Sequence, residues 1–405
     1  AALSGEGGTD TFAFFSGGIA GSVDGGAAAD LLDYSGAAGS VTVNLNNSTA
    51  TGLGGTFANT EAILGNGAQS QLIGNAAGST WTVGTDITDS NVDGFAFDDI
   101  ATLTGGSGAD TFDFVANNTD VLVVSGGSGN DTFNLRAATI AALSGEGGTD
   151  TFAFFSGGIA GSVDGGAAAD LLDYSGADGG VTVNLNNSTA TGLGGTFANT
   201  EAILGNGAQS QLIGNAAGST WTVGTDITDS NVDGFAFDDI ATLTGGSGAD
   251  SFAFVANNTD VLVVSGGSGN DIFNIQAETV ADLSGGSDSD RFAFFDAGGA
   301  SGGIDGGAGT DLLDYSGRGA SATVNLETLT ATGIATSFAN VEGMIGNGAA
   351  SELIGSNSGN TWTIGTDINV SNVNGFSFDD VANLTGGTDI DTFTLVASNA
   401  DVLLI

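Results

Sequence analysis

The sequence predicts an all-β protein: a parallel β-solenoid of the β-roll or β-helix kind, with coils of about 20 residues. Three observations support this prediction. A unit of about 140 residues is repeated along the chain, Gly-Gly turns recur about every 20 residues within each unit, and polar and apolar side chains alternate between the turns. A short fixed period is typical of a solenoid, whose coils bury their apolar faces only by stacking on one another.

The large repeat divides the chain into three units. Residues 1–140 and 141–280 align without a gap and differ at nine positions. Residues 281–405 form a third, more diverged and incomplete unit, which keeps landmarks such as Trp362, the counterpart of Trp81 and Trp221. We therefore expect about seven coils in each complete 140-residue repeat, and one continuous rod that is a stretch of a longer array.

The segments between the turns are predicted to be short, half-buried strands. In the segment from Thr111 to Phe114, Phe112 and Phe114 face one side while Thr111 and Asp113 face the other. Most of the 25 Phe residues stand at such inward positions, so we expect an aromatic ladder inside the coils. The 72 Gly residues interrupt almost every window that a helix would need, and no long helix is predicted.

Composition excludes several classes of function. Lys plus Arg total 3 against 47 Asp plus Glu, a formal net charge of -44, so no basic surface is available for nucleic acid or anionic lipid. The absence of His and Cys excludes imidazole and thiolate metal sites and Ser-His or Cys-His nucleophiles. The uncharged run 34–60 is too rich in Asn, Ser, Thr and Gly to span a membrane, and we interpret it as a pair of coils.

The chemistry of the chain lies in a glycine-aspartate turn. The segment 105–113 matches G-G-x-G-x-D-x-U-x, where U is apolar, and so do 126–134, 245–253, 266–274 and 306–314. Consecutive glycines permit positive φ and close backbone approach, so main-chain carbonyls can turn toward the Asp carboxylate. A cage of such oxygen donors suits Ca²⁺.

These turns resemble the RTX, or haemolysin-type, calcium-binding repeats of giant bacterial exoproteins and adhesins. The resemblance implies a parallel β-roll in which Ca²⁺ is held between the turns of adjacent coils. The chain departs from the family in its period, because a signature occurs once per coil of about 20 residues rather than every nine. We therefore expect one calcium-rich edge and one edge of plain turns.

The candidate calcium ligands are the carboxylates and turn glycines of the complete and the looser motifs. The carboxylates are Asp10, Asp30, Asp110, Asp131, Asp150, Asp170, Asp250, Asp271, Asp288, Asp290, Asp311, Asp389 and Asp391. The glycines are Gly106, Gly108, Gly127, Gly129, Gly246, Gly248, Gly267, Gly269, Gly307 and Gly309.

The period also predicts how these carboxylates are arranged. Those from Asp110 through Asp170 should stack in a column about 4.8 Å apart and repel one another unless cations lie between them. We expect the column to be interrupted where Ser70 and Ser210 replace Asp. The alternative is that each Asp only caps its own turn as an Asx motif.

The function that the sequence favours is a calcium-stabilised extracellular array, either a filament or the stalk of a large bacterial surface adhesin. Nearly identical repeats add length without adding chemistry. Calcium sites with dissociation constants of about 10⁻⁴ to 10⁻³ M would leave the chain export-competent inside the cell and let it fold outside, at the cell surface or in a biofilm. Calcium is the expected partner, and further copies of the chain or surface glycans are the other candidates.

Two alternative functions stay open. A glycan- or ice-binding module would use regular outward side chains, and Thr11 fits such a rank, but Leu31 and Ile272 break it. A polysaccharide-active β-helix enzyme could use paired Asp side chains as acid and base. Because the chain has no Lys or His base and its three Arg residues have no counterparts in the other repeats, we expect that it is not an enzyme.

Overall fold

The computed structural model describes residues 2–398 and Leu404. These residues form 42 β-strands and no helix, so the predicted all-β class is confirmed. Contacts divide the chain into two compact units, Ala1–Val181 with Asn187–Asn206, and Thr182–Asn186 with Gly207–Ile405. None of the described residues belongs to a helix of the length and apolarity that crossing a membrane requires.

The strands are short, and most contain two to six residues. Up to Ile213 they are β1 (Leu3–Ser4), β2 (Thr11–Ala13), β3 (Val23–Asp24), β4 (Leu31–Asp33), β5 (Val41–Asn44), β6 (Thr49–Ala50), β7 (Phe57–Ala58), β8 (Ala62–Ile73), β9 (Thr80–Val83), β10 (Asn91–Val92), β11 (Phe95–Gly106), β12 (Thr111–Phe114), β13 (Val123–Ser128), β14 (Thr132–Leu135), β15 (Ala142–Gly147), β16 (Thr151–Phe154), β17 (Val163–Ala167), β18 (Leu171–Asp173), β19 (Val181–Asn184), β20 (Thr189–Ala190), β21 (Phe197–Ala198) and β22 (Ala202–Ile213). The remainder are β23 (Thr220–Val223), β24 (Asn231–Val232), β25 (Phe235–Gly246), β26 (Ser251–Phe254), β27 (Val263–Ser268), β28 (Ile272–Ile275), β29 (Glu278–Thr279), β30 (Asp282–Ser287), β31 (Arg291–Phe294), β32 (Gly299–Ala300), β33 (Ile304–Ala308), β34 (Leu312–Asp314), β35 (Ala322–Asn325), β36 (Thr330–Ala331), β37 (Phe338–Ala339), β38 (Gly343–Ile354), β39 (Thr361–Ile364), β40 (Asn372–Val373), β41 (Phe376–Thr385) and β42 (Thr392–Leu395).

Two parallel ladders dominate the first unit. One stacks β9, β12, β14, β16 and β18 in register, so that Thr80 lies beside Thr111 and Thr111 beside Thr132. The other stacks β11, β13, β15, β17 and β21. The second unit contains the same two ladders, formed by β23, β26, β28, β31 and β34 and by β25, β27, β30, β33 and β37. The sheet is therefore mostly parallel.

The chain length between stacked positions is not constant. Partners in the first ladder are 21, 19 and 20 residues apart from Asp110 through Asp170, but 31 residues separate Ser79 from Asp110 and Asp30 from Glu61. The longer steps contain antiparallel pairings, of β10 with β9 and β11 and of β5 with β6. The predicted step of about 20 residues is therefore confirmed from Asp110 through Asp170 and wrong at the two longer steps, and the run 34–60 contains a hairpin rather than a pair of coils.

Aromatic rings fill the interior of both units. Trp81, Phe112, Phe133 and Phe152 stack with centroids 5.3, 5.1 and 4.8 Å apart. The second unit contains the same stack, made by Trp221, Phe252, Phe273 and Phe292 at 5.3, 5.1 and 4.7 Å. All eight rings are fully buried. The predicted aromatic ladder is confirmed, because parallel in-register strands place equivalent side chains directly above one another.

Candidate metal centre

The signature turns begin within the last residues of the second-ladder strands. Gly127 and Gly129 have φ values of 102° and 132°, a region that side chains with a Cβ rarely adopt. Gly108 instead allows two turns to approach each other closely, because an added Cβ would lie 2.3 Å from Gly78 N in the neighbouring turn. Of the other predicted glycines, those with positive φ are Gly106, Gly246, Gly267, Gly269, Gly307 and Gly309. Gly248 allows the same close approach as Gly108, because an added Cβ would lie 2.1 Å from Gly218 N.

The aspartates of these turns form the predicted column. Asp110 N donates to Asp131 Oδ1, Asp131 N to Asp150 Oδ1, and Asp150 N to Asp170 Oδ1, each at 2.7 Å. All four residues are at most 1 % exposed. Each carboxylate therefore joins two successive turns of the chain, rather than capping only its own turn as an Asx motif would.

The column has defined ends. Ser79 N donates to Asp110 Oδ1 at 2.6 Å, and Asp170 N donates to Glu201 Oε2 at 2.9 Å. Ser70 stands in its own turn where Asp stands in the others, since a Cβ added to Gly65 would lie 2.7 Å from Ser70 Oγ, and its hydroxyl donates to Gly67 O and Asp99 O. The expected interruption at Ser70 is therefore present, and a 31-residue step that contains a hairpin places Ser79 at the end of the column.

The same arrangement occurs twice more. In the second unit the column runs from Ser219 through Asp250, Asp271, Asp290 and Asp311 to Glu342, with hydrogen bonds of 2.6 to 2.9 Å. Here too the column ends at a serine, Ser219, and Ser210 interrupts it as expected, with its hydroxyl donating to Gly207 O and Asp239 O. A shorter column runs from Asp10 through Asp30 to Glu61.

The second carboxylate oxygen of each column aspartate has no partner. Among the described residues, Oδ2 is buried without a hydrogen bond in Asp10, Asp30, Asp110, Asp131, Asp150, Asp170, Asp250, Asp271, Asp290 and Asp311. A Cβ added to Gly145 would lie 2.1 Å from Asp150 Oδ2 and 2.4 Å from Gly165 O, so these two oxygens face the same space. Both are acceptors. A proton or a cation between the two oxygens is needed to offset the cost of burying them without a hydrogen-bond donor.

Burial accordingly raises the pKa of the aspartates in the two longer columns. Loss of hydration raises the pKa of Asp150 and Asp290 to about 7, opposed by the backbone hydrogen bond that each accepts and assisted by neighbouring carboxylates. The same cause raises the pKa of Asp110, Asp250 and Asp271 to about 6. It also raises the pKa of Asp131, Asp170 and Asp311.

Three predicted ligands differ from the column aspartates described above. Asp288 and Asp389 are exposed and lie outside the columns, and Asp288 Oδ2 accepts from Gly269 N at 3.3 Å. Asp391 stands at the place of Asp110, because its Oδ1 accepts from Asn360 N as Asp110 Oδ1 does from Ser79 N. Its Oδ1 also accepts from Asn360 Nδ2, however, and its Oδ2 accepts from Gly387 N. These hydrogen bonds lower the pKa of Asp391, the opposite of the direction in the columns.

Two acidic clusters were not foreseen from the sequence. Asp98, Asp99 and Asp120 bring carboxylate oxygens within 4.8 Å of one another, and Asp238, Asp239 and Asp260 do the same. All six are half-buried, and either group could hold a metal ion. The adjacent pair Asp98 and Asp99 can be seen in the sequence, but nothing in the sequence places Asp120 beside it. In the structure Asp99 has a φ of 53°.

The donor set of these sites suits a hard cation. Every candidate ligand is a carboxylate or main-chain oxygen, the type that Ca²⁺ prefers, and the orphaned Oδ2 atoms lack the compensation that a cation would supply. Comparison of the sequence with protein-family models finds no match, and comparison with curated proteins likewise finds none. The likeness to RTX repeats therefore rests on the turn motif alone.

Proposed function

We propose that this chain is a calcium-stabilised structural array: a parallel β-solenoid that forms a filament or the stalk of a large bacterial surface adhesin, without enzymatic activity. The observation that carries the proposal is the set of buried Oδ2 atoms without a partner, which holds most clearly for the eight aspartates other than Asp110 and Asp250, since the Trp81 and Trp221 indoles face those two carboxyls. Burying an unpaired carboxylate costs several kcal/mol, so the fold needs a compensating species in the columns.

The columns suit a structural role. Each carboxylate already uses Oδ1 to join two turns, and a cation would supply the positive charge that Oδ2 and the facing Gly carbonyl lack. Asp150 Oδ2 with Gly165 O, and Asp290 Oδ2 with Gly306 O, are the pairs that would share it. Nearly identical repeats then lengthen the array without new chemistry.

Dependence on calcium is the reason for proposing an extracellular location. A chain of formal charge -44 resists compaction where calcium is scarce. Where calcium is abundant, binding neutralises the columns, and the free energy of binding becomes free energy of folding. The chain would thus fold at the cell surface after export.

The test is thermal unfolding at pH 8, followed by circular dichroism in excess chelator, in CaCl₂ and in MgCl₂, with electron microscopy of the same samples. We expect calcium to raise Tm more than magnesium does, and rods to appear with calcium. A matched variant, Asp178→Asn, removes one exposed charge outside the columns and should keep the full calcium response. An equal Tm in chelator and calcium, with intact β-structure in both, would overturn the proposal.

A further inference from the structure

Two cavities occupy corresponding places in the first two repeats. Their volumes are about 510 and 470 Å³. A stacked aromatic pair lines each one, Phe14 with Tyr34 at 4.8 Å and Phe154 with Tyr174 at 4.5 Å. Neither cavity belongs to the aspartate columns, and the proposed structural role does not use them.

The third repeat shows what fits this place. The counterpart of Tyr34 and Tyr174 is Tyr315, which stacks on Phe294 at 5.0 Å. Three residues further on, Arg318 donates from Nη1 to Phe295 O at 3.2 Å and to Gly298 O at 3.3 Å. A guanidinium group therefore lies against two main-chain carbonyls beside the aromatic pair.

The first two repeats lack this side chain but keep its surroundings. Ala37 and Ala177 stand where Arg318 stands, three residues after the Tyr, and both line the cavities. In the second repeat the carbonyls equivalent to Phe295 O and Gly298 O belong to Phe155 and Gly157, which also line the cavity. Neither carbonyl accepts a hydrogen bond from any residue that the structure describes.

One of the two carbonyls keeps its place in all three repeats. A Cβ added to Gly333 would lie 3.3 Å from Gly298 O, and one added to Gly52 would lie 3.5 Å from Gly17 O. The corresponding distance in the second repeat, from Gly192 to Gly157 O, is 3.7 Å. The loop before this carbonyl is one residue longer in the third repeat, where Phe295 O also accepts from Gly298 N at 3.0 Å.

Charge favours a cation at these positions. The chain has no Lys and a net charge of -44, so a cationic group is attracted to its surface. Of the nine positions at which the first two repeats differ, two line this cavity, where Ala38 and Ser40 are replaced by Asp178 and Gly180. The exposed Asp178 carboxylate gives the second cavity an anionic group that the first lacks.

The aromatic wall is also compatible with a guanidinium. Arg136, from the preceding turn, places its guanidinium carbon 4.2 Å from the centroid of the Phe155 ring. Arg136 also lies 3.6 Å from Asp113, and the Asp113 carboxylate balances its positive charge.

We propose that the cavities of the first two repeats each bind a guanidinium group supplied by another molecule, in the position that Arg318 fills in the third repeat. In the second repeat the N–H groups of the guanidinium donate to the carbonyls of Phe155 and Gly157, and in the first repeat to those of Phe15 and Gly17. The methylene groups of the bound molecule lie against the stacked Phe and Tyr rings. The source is either the arginine side chain of another polypeptide or a small free guanidine.

The experiment is calorimetric titration of the whole chain in calcium-containing buffer, with agmatine in one arm and the blocked tripeptide acetyl-Gly-Arg-Gly-amide in the other. We expect two sites for the preferred probe. Saturation by agmatine alone indicates a small-molecule site, and tighter binding of the tripeptide indicates an arginine of a polypeptide. Butylamine is the control for charge without guanidinium geometry, and it should bind less tightly than either probe.

Variants copied from the repeats test the location. Ala37→Arg and Ala177→Arg reproduce the third repeat and should each remove one site, whereas Arg318→Ala should open a third. Asp178→Ala should weaken the second site by at most about fivefold, as for an exposed ion pair. Circular dichroism verifies that each variant is folded.

The proposal fails if neither probe saturates, if butylamine binds as tightly as agmatine, or if the number of sites is unchanged in Ala177→Arg and Arg318→Ala. Attraction to the anionic surface alone would produce the last two results. These outcomes are independent of the calcium proposal, because the response of Tm to calcium is measured without either probe.

Discussion

The backbone N–H of Asp131 donates to Oδ1 of Asp150 at 2.7 Å, and Asp150 Oδ2 is buried without a partner. One carboxylate thus has two different roles. The first oxygen satisfies a backbone group in the neighbouring turn, while the second faces a main-chain carbonyl and needs compensation. Repeated along each column, this division explains how a strongly acidic chain can stack its aspartates in a buried row.

The variant Asp150→Asn separates the two roles. The Asn side chain keeps an oxygen acceptor for Asp131 N and gains an NH₂ donor that can reach Gly165 O. We expect Tm in chelator at pH 8 to rise and the additional increase caused by calcium to become smaller. Thermal unfolding with and without calcium measures both effects.

The variant Asp150→Ala is the comparison for this test. It leaves Asp131 N without its acceptor, so we expect a loss of about 1–3 kcal/mol in unfolding free energy. If Asn destabilised the protein in chelator as much as Ala does, the second oxygen would not be an uncompensated acceptor.

The pH dependence of stability follows from the raised pKa values. In the unfolded chain an Asp titrates near 3.8, whereas burial raises the pKa of Asp150 and Asp290 to about 7 and of Asp110, Asp250 and Asp271 to about 6. The folded state therefore binds more protons than the unfolded state between these values. Stability without calcium is greatest below about pH 4 and is lost as pH rises through about 6 to 7.

We therefore expect Tm in chelator to fall between pH 5 and pH 8, and calcium to reduce that fall, because a cation replaces the lost protons. The measurement is a series of thermal unfolding curves at constant ionic strength. A Tm that rises with pH over this interval in chelator would show that the column carboxylates are stabilised as anions without a cation.

The aromatic stack should dominate the packing energy of each unit. Phe133 lies between Phe112 and Phe152 at 5.1 and 4.8 Å and is fully buried, so Phe133→Ala should cost about 3–5 kcal/mol. Phe15, which is 68 % exposed, is the matched control, and Phe15→Ala should cost far less. Denaturant unfolding in calcium measures both losses, and equal losses would contradict a core centred on the stack.

Much of the fold could be predicted from residue spacing. Phe112, Phe133 and Phe152 recur in step with Asp110, Asp131 and Asp150, so a parallel in-register stack puts both sets in columns. The prediction failed where the spacing changes. The 31-residue step before Asp110 contains a hairpin, and Ser79 donates to Asp110 across it, a pairing that a 20-residue period does not predict.

The sequence by itself determined the all-β class, the aromatic interior and the order of aspartates in each column, because period and alternation act along the chain and are visible in it. Only the tertiary structure decided that Oδ1 is paired while Oδ2 is not, that Asp120 joins Asp98 and Asp99, and that Arg318 fills a place left open beside Ala37 and Ala177. These relationships depend on which atoms face each other across turns that are 19 to 31 residues apart, and residue order alone does not specify that orientation.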